Sequence, residues 1–420
     1  MIRFYNGRVL EGLAVTENEV WTDGDVIAYV GPKKDGTPAF EREIDLRGDL
    51  LMPGFKNAHT HSTMTFLRSM ADDLPLQEWL FQQIFPREAR LTPERVKAFT
   101  KVALLEYLAN GVTACFDMYG HMYDIAEVLC QWGFRGVICD AMDAHNEWTK
   151  YYESYEKLNS MGPFVSYKLG FHAEYTANLD MLKYLSEVSH ALKAPVWSHN
   201  SETKAEVEGC IERHGVTPTK LFDDLGLFDY GGGGYHCVWM TDEDIGIFKK
   251  RGLYAVLNAC SNAKLASGIA PLRRYMDAGV KLAVGTDGPA SNNALDMFRE
   301  MYLINVLAKL DEKDAAAGDP GLILEAAVSG GARAMGLDDC DSIAPGKQAD
   351  LTVVDMHRPN MRPVHNVVKN LVYSGNPGNI LLTMIAGKVL YEKGEFFVGE
   401  DPEAVYREAE RLTRELLAEV

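Results

Sequence analysis

Apolar residues follow two rhythms along this chain. Over residues 1 to about 50 they form short runs, Val9-Leu10, Val20-Trp21 and Val26-Ile27-Ala28-Tyr29-Val30, punctuated by Gly12, Gly24 and Gly31-Pro32. Such runs bounded by Gly and Pro predict short strands joined by turns. From about 53, short apolar runs alternate with longer amphipathic stretches. The runs at 51–58, 111–118, 134–141, 164–172, 194–199, 235–238, 253–258 and 280–287 predict eight strands. The stretches at 93–110, 124–132, 179–192, 203–214 and 270–278 predict helices between them, and Asn110-Gly111 and Ala278-Gly279 end two of these as glycine caps.

Eight alternating units predict an α/β fold, a parallel (β/α)8 barrel of the TIM type. Strand patterns return after about 335, at 351–355, 382–386 and 389–391. The simplest closure is one small β-sandwich domain built from both chain ends, 1–52 and 340–400, beside a barrel over 53–339. Residues 401–420 predict a charged C-terminal helix packing through Tyr406, Leu412 and Leu416. The 311–319 stretch reads as a solvated loop.

The chain's 420 residues, 47% of them hydrophobic, allow a large core. A net charge of −18 argues against nucleic acid as a partner, because phosphate binding needs basic patches. No run of 18 apolar residues predicts a membrane span. Seven scattered cysteines without a Cys-x-x-Cys pair suggest neither a disulfide framework nor a zinc knuckle, and fit a reducing cytoplasm.

The chemistry concentrates at predicted strand ends, where such barrels carry their sites. His59 and His61, in Pro53-Gly54-Phe55-Lys56-Asn57-Ala58-His59-Thr60-His61, stand at i and i+2 and share one face of extended chain. Neutral imidazoles at that spacing can reach one metal. The remaining ends carry Asp117, Asp140, His172, His199, His236, Asn258 and Asp287. Any one of these alone reads more readily as structural; the set does not.

Three histidines and an aspartate suit a mononuclear site, which would lower the pKa of bound water towards ~7. Asp287 could take that water's proton, His236 could hold the attacking oxygen, and Glu202 could donate protons to the substrate's ring. Glu202 alone reads equally well as a helix N-terminal acid. The glycine run 231–234 is followed by no Lys-Ser/Thr, so it reads as a flexible lead-in to a strand.

Taken together, the motif around His59 and His61, Ser198-His199-Asn200-Ser201-Glu202-Thr203, His236-Cys237-Val238, Ser261-Asn262-Ala263-Lys264-Leu265, Gly285-Thr286-Asp287-Gly288 and Gly346-Lys347-Gln348-Ala349-Asp350-Leu351 resemble the amidohydrolase superfamily. Within it the chain is most similar to the 5′-methylthioadenosine/S-adenosylhomocysteine deaminases and the chlorohydrolases. The resemblance implies one divalent metal per chain, zinc or alternatively iron, on His59, His61, His199 and Asp287. It makes Glu202, His236 and Asp287 catalytic, and it implies substrate contacts at Glu78 and His172. It also implies a small-molecule substrate, water as co-substrate, and a homo-oligomer.

The expected reaction is hydrolytic deamination of an adenosine-like ring. Alternatives are dechlorination or deamination of a triazine, pterin, pyrimidine or guanine, or an inert scaffold. A binuclear variant bridged by Lys168 is disfavoured, since Lys168 lies roughly 13 Å below His172 at ~3.3 Å per residue. The resemblance implies arginines gripping the nucleoside's polar tail where this chain has Cys130 and Asp140; Glu174 adds a carboxylate near the mouth after His172, and Asp143 is a third acid. These acids predict preference for a neutral or cationic substrate over one with a carboxylate.

Overall fold

The computed structural model describes residues 1–34, 38–145 and 147–419. Eight parallel strands form its centre: β1 (Phe55–Thr60), β2 (Val112–Met118), β3 (Arg135–Cys139), β4 (Val165–Gly170), β5 (Val196–Asn200), β6 (Gly232–His236), β7 (Tyr254–Leu257) and β8 (Lys281–Val284). They are hydrogen-bonded in chain order, and helices connect them on the outside. Ala58, Phe116, Val137, Trp197, Tyr235 and Val256 fill the interior, so the barrel is a packed core.

Both chain ends meet in a second unit of two sheets. Strand Leu50–Pro53 pairs antiparallel with Leu351–Val354 and parallel with Arg8–Glu11, inside a seven-stranded sheet. Ile2–Tyr5, Glu19–Asp23, Val26–Gly31 and Arg42–Asp45 form a four-stranded sheet against it. Phe4, Val20, Ile27, Leu51, Leu351 and Leu382 are buried between the two.

The first barrel strand was expected at 51–58, yet Leu51 and Met52 belong to the outer sheet. Pro53-Gly54 separates the two strands. A Cβ on Gly54 would lie 2.1 Å from Thr113 Cγ2, so only glycine lets the chain pass β2 there. The glycine run is also corrected: Gly232–Gly234 is buried strand, not a flexible lead-in. A Cβ on Gly233 would stand 2.3 Å from Tyr254 O, and one on Gly232 1.9 Å from Val196 O.

Helix Met297–Glu312 extends into the stretch read as a loop. The C-terminal helix spans Pro402–Leu417 and buries Val405, Ala409, Leu412 and Leu416, with Tyr406 half-buried. Arg95 in the helix Pro93–Ala109 grips Glu419 at 2.5 and 3.1 Å. Val420, included in the expected helix, lies outside the described residues. No helix among the described residues is long and apolar enough to cross a membrane.

Candidate metal centre and substrate cavity

His59 and His61 from the end of β1, His199 from β5 and Asp287 from just beyond β8 converge at one end of the barrel. Each offers a ligand atom, and these atoms all lie within 4.8 Å of one another. His61 Nε2 stands 3.2 Å and His59 Nε2 3.5 Å from Asp287 Oδ1.

The ring nitrogens that face away from the centre hold the imidazoles in place. His61 Nδ1 donates to Met118 O at 2.5 Å and His199 Nδ1 to His172 O at 2.7 Å. Each ring thereby keeps its Nε2 lone pair for the centre. Tyr235 stacks on His59 at 3.8 Å between centroids. Asp287 has a left-handed backbone with φ of 62°. Its Oδ2 accepts from Ser261 Oγ at 2.5 Å and Ser291 Oγ at 2.8 Å, and its Oδ1 from the Gly288 N–H at 2.7 Å.

This donor set fits a divalent cation. Neither nitrogen of the fully buried His59 has a hydrogen-bond partner among the described residues, an expensive arrangement unless a ligand takes one of them. Burial lowers His59 to about 3 and His199 well below its usual range, which keeps both neutral and able to coordinate. Burial also lowers His61, but the Asp287 hydrogen bond and charge carry it up to about 9. A metal would have to displace that proton. Three imidazoles and a carboxylate suit zinc or iron.

Glu202 and His236 face the same space. His236 Nδ1 pairs with Asn262 Oδ1 at 2.7 Å, which directs Nε2 inward, 3.8 Å from Glu202 Oε2. Glu202 Oε1 accepts from Ser267 Oγ at 3.0 Å. Burial raises the Glu202 pKa, against the opposing pull of His236. A buried carboxyl with a raised pKa suits a general acid.

A cavity of about 1010 Å³, its open mouth included, rises from this centre. His61, His172, His199, Glu202, His236 and Asp287 line its base. Leu76, Trp79, Leu80, Phe85 and Leu91 form an apolar wall, with Glu88, Tyr119, His121 and Asp143 also facing the space. His172 Nδ1 meets Thr176 Oγ1 at 3.0 Å, and burial lowers the ring to about 3.

The other expected substrate residues are not brought to the cavity. Glu78 is exposed and is not among the residues that line the cavity. Glu174 is buried in ion pairs with Arg213 and, at 3.2 Å, His214. Asp140 does not line the cavity, and burial pushes it up to about 8, so near neutral pH it carries a proton and little charge. Of the three acids expected to shape the field, Asp143 alone lines the space. The sequence reading missed Glu88, whose carboxylate accepts from Tyr119 Oη. Its signal was the spacing Leu80, Ile84, Glu88, which repeats every fourth residue on the buried face of the segment. Lys168 points to the other side, where a Cβ on Gly336 would meet its Nζ at 3.0 Å.

A profile described as "Amidohydrolase family" matches residues 50–390. A 5-methylthioadenosine/S-adenosylhomocysteine deaminase of Thermococcus kodakarensis is 38% identical over 397 residues, covering 92% of each chain. A 5′-deoxyadenosine deaminase of Methanopyrus kandleri is 33% identical over 425 residues, covering 96% of this chain and 99% of the relative. The solved structure of an adenosine deaminase from Xanthomonas campestris with bound zinc aligns with a TM-score of 0.94 at 34% identity, covering 100% of this chain and 99% of the other.

Proposed function

The chain belongs to the amidohydrolase family, and we propose that it removes the ring amino group of an adenosine-like nucleoside. It is a hydrolase acting on C–N bonds. The observation that carries the reading is the buried Glu202–His236 pair at 3.8 Å, set opposite the His59, His61, His199 and Asp287 donors at the base of one cavity.

In this proposal those four residues hold one zinc ion. Bound there, the ion would lower the pKa of water towards ~7 and supply a nucleophile at neutral pH. Asp287 takes the proton that the nucleophile releases. His236 Nε2 hydrogen-bonds the attacking oxygen and orients it towards the amino-bearing ring carbon. Glu202 gives its proton to the adjacent ring nitrogen, and protons relayed through it reach the amino group, which leaves as ammonia. The product ring carries a carbonyl where the amine stood.

Glu88 rather than Glu78 takes the ribose hydroxyls, with Tyr119 oriented by the same carboxylate. His172 reaches the base edge. The 5′ substituent lies against the wall of Leu76, Trp79, Leu80 and Phe85. No lysine or arginine is among the described residues lining the cavity, while Glu88 and Asp143 are. That favours a neutral or cationic 5′ group over an amino-acid carboxylate. A cytoplasmic location and a homo-oligomer belong to the same proposal.

The test is ammonia release from aminated purine nucleosides, triazines, pterins and pyrimidines, with metal analysis of the same sample. Turnover of an adenosine-like compound with about one zinc per chain is expected. Chloride release, or activity confined to non-ribosylated rings, would replace the substrate. An inert, metal-free protein would overturn the reading.

A further inference from the structure

Glu206 is buried, with 4% of its surface exposed, and the chemistry above does not use it. It is the third residue of the helix Lys204–His214, whose N-cap is Thr203. An acid there ordinarily reaches back to the N-cap N–H and completes a capping box. Glu206 does more. Its Oε1 accepts the N–H of Ser201 at 2.9 Å and its Oε2 the N–H of Glu202 at 2.8 Å, while the N-cap N–H of Thr203 is farther, at 3.5 Å. The two shorter bonds go past the cap, into the turn that carries the general acid. That turn starts at Ser201, whose φ of 52° is left-handed and costly for a residue with a side chain. Something must hold it, and the Glu206 carboxylate spans it from the inside.

Resting on the deaminase reading, we infer that Glu206 is a positioning residue for Glu202. Its carboxylate fixes the backbone of residues 201–203, so that the Glu202 side chain reaches Ser267 Oγ and the face of His236. Two acceptors in one rigid group are required, because two separate N–H donors converge on it. Glutamine supplies one acceptor and one donor, and so opposes one of those N–H groups. Aspartate keeps both acceptors and the charge but falls one methylene short.

The titratable groups within reach of the Glu206 charge are Glu202, Cys210, Cys237 and Tyr175. Burial, then the Glu202 charge, pushes Glu206 up to about 7, and burial raises Glu202 as well; burial also pushes Cys210 up to about 12, and Cys237 and Tyr175 well above their usual ranges. The two neighbouring carboxyls repel when both are charged, so they titrate as a pair.

The experiment uses the full-length, zinc-loaded protein as wild type, Glu206→Gln, Glu206→Asp and Thr203→Ala. Crystal structures of the two Glu206 variants should show the Glu202 carboxylate displaced from Ser267. In Glu206→Gln, kcat for the best nucleoside should fall about 10- to 100-fold, as misplacement by about 1 Å can cost. KM should stay within about 3-fold, and the alkaline limb of the kcat profile should move to lower pH. Thr203→Ala removes the side-chain cap at Glu206 N, which is 3.1 Å away. It should lower Tm yet keep kcat within about 3-fold.

A Glu202 carboxylate that superimposes on the wild type in either variant, with its Ser267 bond intact, overturns the inference. So does an unchanged kcat and pH profile in Glu206→Gln. If Glu206→Gln does not fold, the Glu206→Asp structure decides. If the wild type turns over no nucleoside, the deaminase reading falls, and the position of Glu202 in the crystals still decides this one.

Discussion

The backbone N–H of Asp287 donates to the carbonyl of His59 at 2.9 Å. The hydrogen-bonded strand order runs from β1 to β8, and this bond joins the two ends of that order. Asn57 reinforces it, accepting the Thr286 N–H at 2.9 Å and donating to Thr286 Oγ1 at 2.7 Å. Two of the four donor residues are therefore also the seam of the barrel.

Metal removal should then cost stability as well as activity. Chelation is expected to abolish turnover and lower Tm, and zinc should restore both. Free metal at 100 times its Kd contributes roughly 2.7 kcal/mol to the folded state. Asp287→Ala should lose metal and melt lower than wild type stripped of metal, because Ser261 and Ser291 lose their acceptor too. Calorimetry with and without chelator checks this; a Tm indifferent to zinc would refute it.

Glu202→Gln keeps the shape of the site and removes the proton donor. Its kcat should fall by about 10² to 10⁴, with zinc content unchanged. Because burial raises the Glu202 pKa, the protonated form persists to higher pH than in a solvated glutamate. Wild-type kcat should fall on the alkaline side as that proton is lost, and Ser267→Ala, which removes a bond to the ionised form, should shift that limb upward. Steady-state pH profiles of the three proteins decide it.

The barrel and its donors were legible because both signals are local. Eight apolar runs are separated by amphipathic stretches, and His59, His61, His199 and Asp287 sit where those runs end. Long-range pairing was not legible. Nothing near Leu50 in the sequence says that its partner is Val354, and nothing near Glu174 says that Arg213 and His214 will absorb its charge. Glu78 was implied by the resemblance, and Glu88 was not considered. The segment 76–88 contains a π-helical stretch at Trp79–Ile84, which blurs the four-residue spacing that links Leu80, Ile84 and Glu88.

Buried acids away from the metal should make stability pH-dependent. Burial pushes Asp140 and Glu300 up to about 8, from unfolded values near ~4. Between those limits the folded state keeps a proton that the unfolded chain has released. Their contribution is fully favourable below about pH 4 and is lost as pH rises towards 8, at up to ~1.4 kcal/mol per pH unit for each group. Asp140→Asn should flatten the slope by about one such increment. Urea unfolding of the zinc-loaded protein at pH 5.5, 6.5 and 7.5 measures it, and an unaltered slope in the variant would contradict the assignment.

The glycine run makes a sharper structural claim. Gly233→Ala would put a Cβ 2.3 Å from Tyr254 O and 2.6 Å from Trp197 Cζ3, so it should give insoluble or unfolded protein. Gly246 lies in the helix Asp242–Arg251 with nothing within 4 Å of its added Cβ. Gly246→Ala should stabilise by about 0.8–1 kcal/mol. Expression and Tm of the pair test whether glycine is needed for close strand packing or for flexibility; a well-folded Gly233→Ala would favour flexibility.

Substrate choice tests which acid meets the ribose. Glu88→Gln should raise KM for adenosine about 10-fold or more and lose most of the discrimination against 2′- and 3′-deoxy analogues, since a charge-assisted hydrogen bond to a hydroxyl contributes about 1.5–3 kcal/mol. Glu78→Gln should change kcat/KM less than about 2-fold. With wild type, 5′-methylthioadenosine and 5′-deoxyadenosine should exceed S-adenosylhomocysteine by about 10-fold or more in kcat/KM, because no lysine or arginine among the described lining residues meets a carboxylate while Glu88 and Asp143 face the space. Added salt should narrow that ratio by screening the acids. If S-adenosylhomocysteine is the better substrate at low salt, a cation reaches the cavity from elsewhere, and a neighbouring subunit becomes the first place to look for it.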